Sequence, residues 1–182
     1  SGVINYVQTV EGITFNGAWR KGAGGSAADG GTTVGTSEGA YDFALTAAGD
    51  TLGAPGLTAG LGYGVEKKGS TDDKHNTVFA NYAVGPVTFG AQLSKIDNGG
   101  TTTDTETQAF GLAFNVNDNL SVSYGVRDVE YVKNAAANVT EDGEGIAIAY
   151  TMGSIKIAGN RNEVSNNGGT LLTEDSMTEI AL

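Results

Sequence analysis

Ile13-Thr14-Phe15-Asn16-Gly17-Ala18-Trp19-Arg20 alternates apolar or aromatic side chains with polar or tiny ones. The same two-residue rhythm returns at Leu57-Thr58-Ala59-Gly60-Leu61-Gly62-Tyr63-Gly64-Val65 and at Val87-Thr88-Phe89-Gly90-Ala91-Gln92-Leu93. In an extended strand this pattern sends the apolar side chains to one face and the polar ones to the other. Two opposite architectures satisfy it: the apolar face lines a core, or it faces lipid around a polar lumen.

Working outward from these segments, period-two alternation bounded by turn residues gives eleven strand candidates, at about 2–10, 13–21, 40–47, 57–66, 76–84, 87–95, 105–116, 120–132, 144–152, 154–164 and 176–182. The connections Glu11-Gly12, Ala48 to Gly56, Gly85-Pro86, Asn117-Asp118-Asn119 and Gly153 are short or fairly short. Each precedes a longer one: Gly22 to Gly39, Lys67 to Lys74, Ile96 to Asp104, Lys133 to Gly143 and Ser165 to Asp175. Strict alternation of this kind in a meander puts every short turn at one end and every long loop at the other. The long loops, rich in Gly, Ser, Thr, Asn and Asp, read as solvated. Transmembrane β-barrels sort their connections this way, whereas soluble sandwiches seldom do.

Composition narrows the choice. A chain of 182 residues with 39% hydrophobic residues, 29 glycines and two prolines suits one all-β domain over residues 1–182. The net charge of −11 argues against a nucleic-acid partner. No cysteine is present, which removes disulfides and thiolate metal sites. No stretch approaches the roughly 20 apolar residues of a membrane-spanning helix, and Ser1 to Tyr6 carry no basic or apolar signal region. Helical insertion is excluded and barrel insertion stays open.

If the face carrying Ile13, Phe15 and Trp19 points outward, the matching outward sets include Tyr41/Phe43/Leu45, Phe110/Leu112/Phe114 and Ile146/Ile148/Tyr150/Met152. The opposite face then carries Asn16, Arg20, Asp42, Glu66, Asn81, Gln92, Asn115, Arg127 and Lys156, with many glycines. A dry core would need a partner for each of these groups, whereas a water-filled lumen solvates them, so these nine are the candidate pore-lining residues. Trp19, Tyr41, Tyr63 and Phe110 fall near the long-loop ends of their strands. Tyr6, Tyr82, Phe89, Phe114, Tyr124 and Tyr150 fall nearer the short-turn ends, giving two aromatic girdles at the membrane interfaces. Phe79 and Tyr131 break parity and read as a lumen aromatic and a rim or bulge residue.

On these residues the chain resembles the trimeric general porins of Gram-negative outer membranes. The opening Ser1-Gly2-Val3-Ile4-Asn5-Tyr6-Val7, a short turn and Gly12-Ile13-Thr14-Phe15-Asn16-Gly17-Ala18 are similar to that family's paired strands. So are the hairpins Tyr82-Ala83-Val84-Gly85-Pro86-Val87-Thr88-Phe89 and Phe114-Asn115-Val116-Asn117-Asp118-Asn119-Leu120-Ser121-Val122. The resemblance implies an antiparallel up-and-down transmembrane barrel of about sixteen strands, a homotrimer in the bacterial outer membrane, and lipid and lipopolysaccharide as surroundings. It also implies a water-filled channel for passive diffusion of small hydrophilic solutes and ions. Because eleven strands cannot close a bacterial-type barrel, and the chain stops inside a strand at Glu179-Ile180-Ala181-Leu182, it is expected to be incomplete at both ends. The family's constricting third loop would then lie outside it.

Other chemistry is weaker. Arg20, Arg127 and Lys156 together would make a cationic pore wall, tempered by Asp42 and Glu66. Lys95, Lys133 and Arg161 fall near the long-loop rim, where a lipopolysaccharide contact competes with the favoured reading of solvated charge. Asp72-Asp73 and Glu141-Asp142-Gly143-Glu144 offer oxygen ligands for loosely bound Ca²⁺, but without the spacing of a dedicated site, so solvated loops are favoured and no cofactor is expected. The run Gly60-Leu61-Gly62-Tyr63-Gly64 lies in a strand with no helix behind it and is no phosphate loop. With His75 the sole histidine and no nucleophile elbow, an enzyme is not expected. The alternatives are a substrate-selective outer-membrane channel and a soluble or surface β-sandwich adhesin.

Overall fold

The computed structural model describes residues 2–22, 39–68, 71–100, 103–134 and 136–182. Its strands are β1 (Val3–Val10), β2 (Ile13–Lys21), β3 (Gly39–Ala48), β4 (Leu57–Lys68), β5 (Thr71–Val84), β6 (Val87–Asp97), β7 (Asp104–Asn115), β8 (Leu120–Val132), β9 (Val139–Met152), β10 (Ile155–Ser165) and β11 (Glu174–Ala181). Each pairs antiparallel with the next in one sheet whose order is the chain order, with β1 and β11 as its open edges. Strands β4 to β10 hold 11–14 residues, at least the roughly 9–11 that a tilted strand needs to cross a bilayer.

The short turns follow from their residues. Glu11 and Gly12 both take positive φ, 48° and 79°, the type I′ pattern whose twist matches the flanking strands. Gly85 before Pro86 and Gly153 before Ser154 put glycine at the first turn position with φ of 55° and 62°, the II′ pattern.

Two connections differ from the sequence expectation. β5 begins at Thr71 and β9 at Val139, so most of the expected loop 67–74 and the last five residues of the expected loop 133–143 are regular ladder, with Val65 opposite Lys74 and Asp128 opposite Asp142. Here both faces of the strands carry polar groups, and the hydrophobic period fades although the hydrogen-bond ladder continues. The sorting of connections is therefore not strict: only residues 69–70 separate β4 from β5 at the long-loop end, while 49–56 separate β3 from β4 at the other. That longer turn is tied to its neighbours, with Thr51 Oγ1 donating to Glu11 O at 2.7 Å and Ala83 N to Gly56 O at 2.8 Å.

Register fixes the faces, because directly opposed residues of an antiparallel pair lie on the same side. Phe15, Leu45, Leu61, Val78 and Leu93 form one continuous row across β2 to β6. All five are 38–52% exposed. Among the described residues only Val65, Val129 and Val139 are buried apolar side chains. A water-soluble sandwich would cover such a face with a second sheet; the described strands make a single layer. Along β9, the apolar Ile146, Ile148 and Tyr150 are exposed while Gly145, Ala147 and Ala149 between them are half-buried, so the apolar face is the convex one.

Candidate pore-facing surface

All nine candidate pore-lining residues lie on the concave face. One row runs from Thr46 through Gly60, Phe79, Gln92, Ala109 and Arg127 to Gly143, crossing β3 to β9. Asn16 and Asp42 join this face through β2 and β3, Glu66 through β4, Asn81 through β5, Asn115 through β7, and Lys156 through its pairing with Thr151. Phe79 also points inward, as its sequence parity indicates. A Cβ at Gly60 would stand 2.6 Å from the Phe79 ring and 2.9 Å from Leu45 O, so the glycine run in β4 makes room for an aromatic side chain from the next strand. Asn162 occupies the space above Gly145 in the same way.

Both arginines on this face, and Lys68, are paired with carboxylates. Arg20 Nη2 donates to Glu66 Oε1 at 3.2 Å; Lys68 bonds Asp73 and stands 3.9 Å from Glu66 Oε2, a network joining β2, β4 and β5 near the long-loop end. Asp73 is 5% exposed. The Lys68 ammonium is held above the ordinary lysine range, first by its hydrogen bond to Asp73 and then, against a burial penalty, by the charges of Asp73 and Glu66. Arg127 donates to Glu141, which is itself 5% exposed. Lys156 lies at the other end, beside the Gly153 turn. The expected cationic wall is thus not one patch: Arg20, Arg127 and Lys156 stand on separate strands, and both arginines are matched by carboxylates.

All ten girdle aromatics lie on the convex face: Trp19 opposite Tyr41, Phe43 opposite Tyr63, Tyr82 opposite Phe89, and Leu112 opposite Tyr124. Phe43 and Tyr63 touch, with centroids 5.5 Å apart. Tyr124, expected nearer the short-turn side, sends its hydroxyl toward the long loops and donates to Glu144 Oε2 at 2.7 Å. Above the aromatics the convex face turns polar. Lys95 Nζ donates to Glu106 at 2.6 Å, Arg161 Nε donates to Glu163 at 2.8 Å, and Asp128, Glu130 and Asp142 share this collar.

The loose calcium candidates are scattered by the same parity. They sit in β5 and β9, not in loops; Asp73 and Glu141 face inward, while Asp72, Asp142 and Glu144 face outward, and no group of three metal-binding side chains occurs among the described residues. Tyr131 is no bulge: it holds regular register between Thr105 and Val139 on the concave face, one residue from the long-loop end of β8. Sequence reading missed Lys68, Asp73 and Glu141 as inward groups because it placed those segments in loops. The signal was present in the apolar residues Val129, Tyr131 and Val139, whose parity reverses beside the charged Asp128 and Glu130.

This single-layered wall, apolar outside and polar inside, matches the family model described as Gram-negative porin over residues 1–174. The chain belongs to the Gram-negative porin family. Its place is the bacterial outer membrane, and family membership points to a channel rather than an enzyme. Solved structures share the porin's fold: an anion-selective porin from Comamonas acidovorans (16% identity, TM-score 0.72, 98% of this chain and 57% of that one) and OmpT of Vibrio cholerae (13%, 0.68, 97% and 61%). A loop L8 deletion mutant of that OmpT matches similarly (13%, 0.68, 98% and 60%). This porin chain therefore spans about three-fifths of the length of those relatives. No curated protein matches it.

Proposed function

We propose that the protein forms a water-filled channel through which small hydrophilic solutes and ions diffuse passively, as a homotrimer, without a catalytic step. The observation that carries this reading is the concave face, where polar and small side chains replace any core and each arginine is held against a carboxylate. Removing such groups from water would be costly, and a solvated lumen avoids that cost. The described part of the wall leans acidic. Asp42, Glu66, Asp73, Glu141, Asp175 and Glu179 face inward against Arg20, Lys68, Arg127, Lys133 and Lys156, which supports a mild preference for cations.

Swelling of liposomes carrying the full-length protein tests the reading. Influx rates should fall smoothly with solute size across neutral sugars. A single sugar entering with saturable kinetics while its stereoisomers are excluded would point to a substrate-selective channel instead.

A further inference from the structure

The connection between β10 and β11 folds onto the inner wall. Its short 3₁₀ turn, Asn167–Gly169, lies against residues that face the lumen on β8 and β9. Glu141 is the hub. One carboxylate oxygen accepts from Arg127, and the other accepts Gly168 N–H at 2.8 Å and the Tyr131 hydroxyl at 3.2 Å. Lys133, expected at the rim, donates instead to Gly169 O at 3.1 Å, and Asn166 Nδ2 donates to Thr140 O at 2.9 Å.

The packing is equally close. A Cβ on Gly169 would stand 2.6 Å from the Tyr131 ring, and Gly169 has φ of 70°, so only glycine suits this position. Val129 and Val139, which flank Tyr131 and Glu141 on the same face, are two of the three buried apolar residues among those described. The loop thus covers a small apolar cluster inside an otherwise wet wall. Asn166 and Leu172 hold left-handed backbone, φ of 54° and 64°, and Asn166 Oδ1 accepts Leu172 N–H at 3.0 Å. Conformations of that cost persist only where surrounding contacts impose them.

We propose that residues Asn166 to Thr173 form a strap docked on Glu141 that narrows the lumen near its long-loop mouth, with Glu141, Tyr131 and Lys133 as positioning residues. The narrowing rests on the channel reading above; the docking does not. It explains a buried carboxylate with three donors, a lysine spent on a loop carbonyl, and a tyrosine whose parity opposes the convex aromatics.

Two measurements on the full-length protein separate these parts. Residues 1–182 hold no cysteine, so Val139→Cys places a reporter beneath the strap, read against the same protein without that substitution. In the native background its reaction with a membrane-impermeant methanethiosulfonate should be slow. Glu141→Ala removes the carboxylate that accepts the strap's Gly168 N–H, a charge-assisted bond worth about tenfold in docking, and should raise the rate by about that factor. Deleting residues 167–172 should do the same, and carries the test if Glu141→Ala fails to fold. In planar bilayers both changes should enlarge the unitary conductance. Unchanged labelling in the strap deletion overturns the docking, and unchanged conductance with faster labelling overturns the narrowing. A wild type that passes no current at all fails the channel reading, while strap-dependent labelling in the same protein still supports the docking.

Discussion

Placing a lysine at Ile148 asks the membrane directly which face it touches. Ile148 lies between Ile146 and Tyr150 on β9, opposite Val122 and Gly159, and is 52% exposed with no protein layer over it. If that face meets hydrocarbon, Ile148→Lys near the bilayer midplane costs about 2–4 kcal/mol. If it meets water, replacing so exposed an isoleucine changes stability by no more than about 0.5 kcal/mol. Asp142 stands on the same face six residues away, about 20 Å along the strand, in the polar collar. Asp142→Lys should therefore cost only about 0–1 kcal/mol. Ala147→Lys, the adjacent residue on the concave face, should stay near wild type because its ammonium enters the lumen. The assay is reversible denaturant unfolding of the full-length protein in phospholipid vesicles, with all three variants compared at one denaturant series. Equal costs for Ile148→Lys and Ala147→Lys, or a larger cost at Ala147, would refute the assignment of faces.

Gly60→Val forces a branched side chain against the Phe79 ring and Leu45 O, so it should destabilise by about 1–3 kcal/mol in the same assay; Gly60→Val with Phe79→Ala should recover part of that. Arg20→Gln leaves Glu66 and Asp73 against Lys68 alone, so the zero-current potential across a salt gradient should move toward cation preference. Lys68 has a raised pKa in the folded protein. Its stabilising effect is therefore fully present below the ordinary lysine value of about 10.4 and is lost as pH rises through the folded value. As pH rises above about 10.4 the unfolding midpoint should fall by more in the wild type than in Lys68→Met; an equal fall in both would remove Lys68 from the network.

Much of this fold is written in the sequence because lipid on one side and water on the other enforce period two through the whole membrane thickness. The row Phe15, Leu45, Leu61, Val78, Leu93 is readable strand by strand, and its register follows once the turns Glu11-Gly12 and Gly85-Pro86 are placed. The nine inward polar residues emerge by the same parity. The pattern stops informing where the strands leave the lipid. At Thr71–Lys74 and Val139–Asp142 both faces are solvated or covered by loop, so no hydrophobic contrast distinguishes ladder from loop. The Lys68–Asp73 and Arg127–Glu141 pairs form there, joining residues on neighbouring strands whose proximity depends on register. Glu141 was legible as an acid in an acidic run; its role needed the return of the 166–173 loop onto β8 and β9, which no local pattern announces. The loose calcium candidates are dispersed for a related reason, since alternation sends adjacent carboxylates such as Asp72 and Asp73 to opposite faces.

The central claim is that the polar concave face encloses water that crosses the membrane. Single-channel recording of the full-length protein in planar bilayers tests it most directly. The account predicts discrete current steps, linear in voltage, whose size follows the bulk conductivity of the salt used. Protein that inserts without steps, or that stays monodisperse in aqueous buffer without detergent, would contradict it.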